Sequence, residues 1–100
     1  MLEVSIFLDE DDRYRDKPMY EYILRYLMHH QIAGASVFTA MGGYGAKRHL
    51  HFPRKLGFSD EGPLMILFID EEPKVQSVRP QLKEAVREGL IVVKKVERVL

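Results

Sequence analysis

Leu64-Met65-Ile66-Leu67-Phe68-Ile69, followed by Asp70-Glu71-Glu72-Pro73, decides how this chain of 100 residues folds. An unbroken apolar run of this length reads as a strand covered on both faces. The acids after it favour the positive end of a helix dipole, and the proline is harmless in a first helical turn. A buried strand therefore runs straight into a helix.

Downstream, Val75, Val78, Leu82, Ala85 and Val86 form the apolar stripe of that helix. Gly89 is expected to end it as a left-handed cap. Pro80 breaks the pattern: inside a helix it costs about 3 kcal/mol, so a kink is expected there. Leu90 to Val96 (LIVVKKV) reads as a last strand. Upstream, Gln31 to Met41 (QIAGASVFTAM) is β-branched and small and reads as a strand, with Gly34 inside it marking a bulge or a close approach. Before it, Pro18 opens a helix whose stripe is Met19, Tyr22, Ile23, Tyr26, Leu27 and His30. Leu2, Val4, Ile6 and Leu8 alternate as a half-buried first strand.

The order is βαββαβ, that of an α+β, ferredoxin-like sandwich forming one domain over residues 1–100. Two helices cover only one face of its sheet. Leu64–Ile69 and Leu90–Val93 are apolar toward both faces, and an uncovered patch of that size invites aggregation. A homo-oligomer is therefore expected.

Between the second and third strands lies MGGYGAKRHLHFPRKLGFSDEGP, Met41 to Pro63, too long for a simple connector. Gly42, Gly43 and Gly45 bring backbone N–H groups together, and Lys47, Arg48, His49, His51, Arg54 and Lys55 follow. That pattern suits an anion, phosphate first. The opposite charge sits at Asp9, Glu10, Asp11 and Asp12. With 15 basic and 15 acidic residues the net charge is zero, so no global field recruits nucleic acid or an anionic membrane. The chain has no cysteine, which excludes disulfides, thiolate nucleophiles and cysteine zinc sites. It opens without a basic start and has no apolar run of roughly 18–20 residues, so neither a signal peptide nor membrane insertion is expected. The expected location is cytoplasmic.

His49 and His51 have the spacing of a metal pair but no third ligand in reach, so no metal site is expected. His29 and His30 suit the negative end of a helix. Tyr20, Tyr22 and Tyr26 read as packing residues.

Ile32-Ala33-Gly34-Ala35-Ser36-Val37, then Gly43-Tyr44-Gly45-Ala46-Lys47-Arg48, resembles the PII signalling proteins. The closer likeness is to a small PII-like family of unknown function with a Gly-Phe/Tyr-Gly-x-Lys-Arg-His signature. Lys17-Pro18-Met19-Tyr20-Glu21 and Asp70-Glu71-Glu72 also resemble that family, and the likeness spans the chain. It implies a homotrimer with adenine nucleotide in clefts between subunits and a T-loop, here loop 42–63, that contacts an unidentified target protein. Carried over, Ala35 and Ser36 lie beside the adenine, while Gly43, Tyr44 and Gly45 let the loop approach phosphate. Lys47 and Arg48 supply charge, Gly89 opens the phosphate-binding B-loop, and Lys94 or Lys95 is a phosphate ligand from the neighbouring side.

The chain also departs from PII. Only Gly89 remains of the B-loop glycines, Arg98 is the sole late arginine, and residues 46–63 contain no tyrosine for modification. AMP or ADP suits this inventory better than ATP. The expected function is non-catalytic regulation, with no required cofactor. The alternatives are a structural or metal-responsive trimer of the divalent-cation-tolerance type and a small acylphosphatase-like hydrolase. The second has Arg13 and Arg15 in its favour and the absence of any asparagine against it. RNA binding through Phe7 and Phe68 is disfavoured by the neutral charge.

Overall fold

The computed structural model describes residues 1–52 and 62–100. Its elements are β1 (Leu2–Asp9), β2 (Arg13–Tyr14), β3 (Lys17–Pro18), α1 (Met19–His29), β4 (Ser36–Thr39), β5 (Pro63–Asp70), α2 (Glu72–Ala85) and β6 (Leu90–Lys95). The main sheet has the order β4-β5-β1-β6, and every neighbouring pair is antiparallel. This is the expected ferredoxin-like sandwich, with a short β2–β3 ribbon inserted between β1 and α1.

Alternation along β1 and β5 sorts the side chains cleanly. Leu2, Val4, Ile6 and Leu8 of β1 and Leu64, Ile66 and Phe68 of β5 are buried under the helices. They meet Ile23 and Leu27 of α1 and Val75, Val78 and Leu82 of α2 in one cluster. Each such side chain contributes about 1.5–3 kcal/mol by leaving water.

The other face has no cover among the described residues of the subunit. Registered pairs run Phe38–Met65, Met65–Phe7 and Phe7–Leu90, which makes one apolar row across all the strands. Leu67 and Val92 flank Ser5 in the next row. Phe7, Phe38 and Leu90 are 41%, 50% and 56% exposed. The expectation that Leu64–Ile69 is covered on both faces thus holds for one face of the single subunit: Ile69 is exposed.

Several boundaries differ from the sequence reading. The second strand is Ser36–Thr39, shorter than Gln31–Met41, and Gly34 lies outside it. Gln31 is left-handed (φ 67°) where α1 ends. Ala33 N–H then donates to Asp70 Oδ2 at 2.9 Å, so this stretch satisfies its backbone through a side chain before any ladder starts. Pro18 closes the ribbon and precedes α1, which starts at Met19. The last strand stops at Lys95, one residue short of Val96.

Helix α2 is continuous through Pro80 and ends at Ala85, with Val86 as its C-cap. Gly89 is therefore not the helix cap, nor is it left-handed, since Gly43 is the glycine with positive φ among those described. Gly89 is instead a close-approach glycine. A Cβ there would lie 2.6 Å from the Phe7 carbonyl oxygen and 2.6 Å from Val86 Cγ1.

Candidate functional site

The C-terminal end of β1 is where the acidic turn, the base of the long loop and the α2–β6 link converge. Gly43 and His51 exchange two backbone hydrogen bonds of 2.8 Å each, which closes the loop base. Gly43 has φ 132°, a conformation open to glycine and strained for L residues. Inside this closure, Arg48 N–H donates to Gly45 O at 2.9 Å, and Arg48 is left-handed at φ 59°. At the far side, Glu10 N–H donates to the carbonyl of buried Gly62 at 2.8 Å. Gly62 has no room for a side chain, because a Cβ would sit 2.7 Å from the His51 ring.

Gly45 packs on the first acid of the turn: a Cβ there would lie 3.0 Å from Asp9 Oδ1. Two residues on, Lys47 Nζ reaches Asp12 Oδ1 at 3.0 Å and Asp11 Oδ1 at 3.4 Å. The hydrogen bond to Asp12 raises the Lys47 pKa, against a smaller downward push from burial, with the charges of Asp12 and Asp11 adding to the rise. Asp9 is also raised, first by burial and then by the neighbouring Asp12. The two local fields in the sequence therefore meet at the base of the loop through Lys47. Asp9, Asp11 and Asp12 bring one carboxylate oxygen each within 4.8 Å of the others, and among the described residues Lys47 is the cation paired with Asp11 and Asp12.

Two clefts adjoin here. One, of about 400 Å³, has walls from Phe7, Leu8, Tyr44, Ala46, Leu64 and Leu90 and is mainly apolar. The other, of about 540 Å³, is charged and lies between the β2–β3 ribbon, Lys47 and the end of α2. Asp12, Glu88 and Gly89 line both. An apolar slot beside a charged one is the kind of concavity that holds a small amphiphilic ligand.

Of the residues singled out in the sequence, Tyr44, Gly45, Lys47 and Gly89 come together around these clefts. Gly43 shapes the loop base, and Arg48 is exposed on its turn. The remainder lie elsewhere in the subunit. Ser36 starts β4 on the open sheet face opposite Leu67, preceded by the partly buried Ala35. Lys94 pairs with Glu3 Oε2 at 3.2 Å, near the start of β1 and so at the opposite end of the strand from Asp9. Lys95 is its neighbour there. Arg54 and Lys55 lie outside the described residues.

Sequence reasoning weighs Arg13 and Arg15 only for the hydrolase alternative and leaves them out of the nucleotide site, although the ribbon carries both into the charged cleft. It also missed that the acidic turn is the partner of Lys47. The signal was present as an acid run and a base run of similar strength, but nothing along the chain says that they meet.

A β4-β5-β1-β6 antiparallel sheet with both helices on one face is the ferredoxin-like fold class shared by CutA and PII-like proteins. Structures of that class are similar over most of their length. CutA1 from Pyrococcus horikoshii superposes with a TM-score of 0.62 at 14% identity, covering 100% of this chain and 87% of that one. The PII-like protein CPII from Thiomonas intermedia, solved with ADP, AMP and bicarbonate, gives 0.57 at 15% identity over 93% and 82%.

Residues 1–98 match the DUF190 family, described as an uncharacterized ACR, and the chain belongs to it. A UPF0166 protein of Aquifex aeolicus is 32% identical over 94 residues, 94% of this chain and 89% of that relative. No helix among the described residues is long and apolar enough to cross a membrane.

Proposed function

We propose that the protein is a non-catalytic, cytoplasmic regulator that assembles as a homotrimer through its open sheet face. It binds an adenine nucleotide, AMP or ADP in preference to ATP, in clefts between subunits and signals to a target protein through loop 42–63. The observation that carries this reading is the meeting of Tyr44, Gly45, Lys47 and Gly89 around adjoining apolar and charged clefts at the end of β1. The similarity to CPII, solved with ADP and AMP, supports it as an analogy of fold. The apolar row Phe38–Met65–Phe7–Leu90 abuts the apolar cleft through Phe7 and Leu90, so covering that row with a second subunit brings a neighbour close to the site. Ser36 and Lys94, on the open face, with Ala35 before the one and Lys95 after the other, then reach the site from the neighbouring subunit, while Arg48 acts from the loop base beside Lys47.

Ligand phosphate and the acidic turn compete for Lys47. The exchange would loosen the loop base and change what the loop presents, an order–disorder switch of a glycine-rich segment. Isothermal titration with AMP, ADP and ATP, with light scattering for assembly state, tests both parts. No heat at millimolar nucleotide with folded protein sinks the ligand, and a monomer at micromolar concentration sinks the trimer.

A trimer of the divalent-cation-tolerance type is the second reading, favoured by the fold shared with CutA1 and by the grouping of Asp9, Asp11 and Asp12. Copper or magnesium binding in the same titration, with none from nucleotide, would select it.

A further inference from the structure

We infer that the β2–β3 ribbon, through Arg13 and Arg15, holds the phosphate end of a ligand whose base occupies the apolar cleft, so that a nucleoside diphosphate binds more tightly than the monophosphate. The inference rests on the nucleotide reading above and assigns residues that the likeness to PII proteins does not supply.

The first support is the junction of the two clefts. They share Gly89, whose Cβ would collide with the Phe7 carbonyl and Val86. Only a bare backbone lets the α2–β6 link pass so close to β1, and Asp12 and Glu88 line the same junction between the clefts. A ligand with its ring against Phe7, Tyr44 and Leu90 extends its tail past Gly89 into the charged cleft.

The second support is the charge inventory of that cleft. Lys47 is engaged by Asp11 and Asp12, and Arg87 by Glu84 at 2.6 Å. Among the described residues, neither Arg13 nor Arg15 has a carboxylate within 4.0 Å. Of the four carboxylates lining the cleft, Glu88 has no cation within 4.0 Å among the described residues. The lining is formally neutral, with four acidic and four basic side chains, and what the ribbon supplies is two guanidinium groups without a carboxylate partner among the described residues, the side chains best matched to phosphate oxygens.

The third support is how the arginines are mounted. Arg15 (φ 51°) and Asp16 (φ 62°) are consecutive left-handed residues in the two-residue turn between β2 and β3. Such turns ordinarily take Asn-Gly or Asp-Gly. Each ordinary residue held there costs on the order of 1 kcal/mol, and strain of this kind gathers at functional positions. The mount is also stiff. The Arg15 guanidinium lies 5.1 Å from the Tyr14 ring centroid, the Tyr14 ring packs tilted against Tyr22 at 4.6 Å, and Gln81 of α2 donates to both hydroxyls. Arg13 donates to the Asp16 carbonyl, which ties it to the same turn.

The test compares ADP and AMP by isothermal titration on the wild-type chain and on Arg13→Gln/Arg15→Asn. Asparagine tolerates the left-handed turn, so the ribbon keeps its shape. ADP affinity is expected to fall about tenfold or more, the value of lost charge-assisted hydrogen bonds, while AMP changes little. Glu88→Gln, which leaves the ribbon untouched, is expected to strengthen ADP binding. Equal loss for ADP and AMP, no loss for either, or weaker ADP binding by Glu88→Gln overturns the inference while leaving nucleotide binding intact. Wild-type protein that takes up neither nucleotide removes the underlying reading, and this one with it.

Discussion

The two faces of the sheet are made by the same strands, yet they meet different fates. Toward the helices, Val4, Ile6, Ile66 and Phe68 are 0–2% exposed and need nothing beyond the subunit. Toward the other side, Phe7, Phe38, Leu90 and Val92 are 41–56% exposed in the same β-ladder. A strand with one solvated face ordinarily alternates apolar with polar. Here the second face is apolar too, which teaches that the subunit's folding and its assembly draw on separate sets of side chains. The separation is testable at single positions.

The largest effect is expected at Ile66, fully buried in the centre of β5. Ile66→Ala should cost about 2–5 kcal/mol in urea denaturation, through lost transfer energy and the cavity left behind. Its counterpart is Phe38→Glu on the open face, which should leave the subunit folded but shift its mass by light scattering from oligomer to monomer. Should Phe38→Glu unfold the chain, or leave its assembly unchanged, the two faces are not separate.

Asp70→Ala should cost about 1–3 kcal/mol, because Ala33 and Glu71 N–H lose their carboxylate partner at a buried position. The pH dependence carries a sign that can be checked. Burial, the largest influence on Asp70, raises its pKa, but the N–H groups of Ala33 and Glu71 and the charge of Lys74 together bring it below the usual 3.8. Its stabilisation is therefore complete above that usual value and lost as pH falls through the depressed one. Asp9 is raised from the same reference by burial and by Asp12, so its charged form weighs against folding at neutral pH. That penalty is relieved as pH falls through the raised value. Acid titration of stability should thus show a gain that Asp9→Asn removes, followed at lower pH by a loss that Asp70→Asn removes.

The smallest effect is expected at Lys47, whose side chain is 39% exposed. Lys47→Met should change stability by less than about 1 kcal/mol, since solvent screens the pairs with Asp11 and Asp12. Its visible consequence should be faster trypsin cleavage within loop 42–63 than in wild type. Unchanged cleavage would mean that Gly45 packing and the Gly43–His51 closure hold the loop base without it.

The fold was legible because its signals are local. Alternation in Leu2–Leu8, the continuous Leu64–Ile69 run and the two helical stripes each declare themselves within a few residues. The second strand is shorter than its composition suggests because Ala33 N–H goes to Asp70, 37 residues away, a partner that local sequence does not announce. Gly89 was read as a left-handed cap, since sequence cannot separate a glycine needed for its φ from one needed to let the Phe7 carbonyl close. The site was half legible. Tyr44, Gly45 and Lys47 stand in one motif, whereas Arg13 and Arg15 reach the cleft on a hairpin whose turn carries neither glycine nor asparagine. Without those residues there was no cue for a two-residue turn.

The aromatic ladder behind that hairpin has an optical consequence. The chain contains five tyrosines and no tryptophan, so tyrosine dominates its near-ultraviolet spectrum. Tyr14, Tyr22 and Tyr26 form one ladder of ring contacts that ends on His30 at 4.1 Å, and Tyr20 packs against the core. Tyr44 alone stands apart, 61% exposed at the loop base. Subtracting the spectrum of a Tyr44→Phe variant therefore isolates the loop base from the helical layer. The molecule carries a native chromophore beside its candidate site and needs no attached label to report on it.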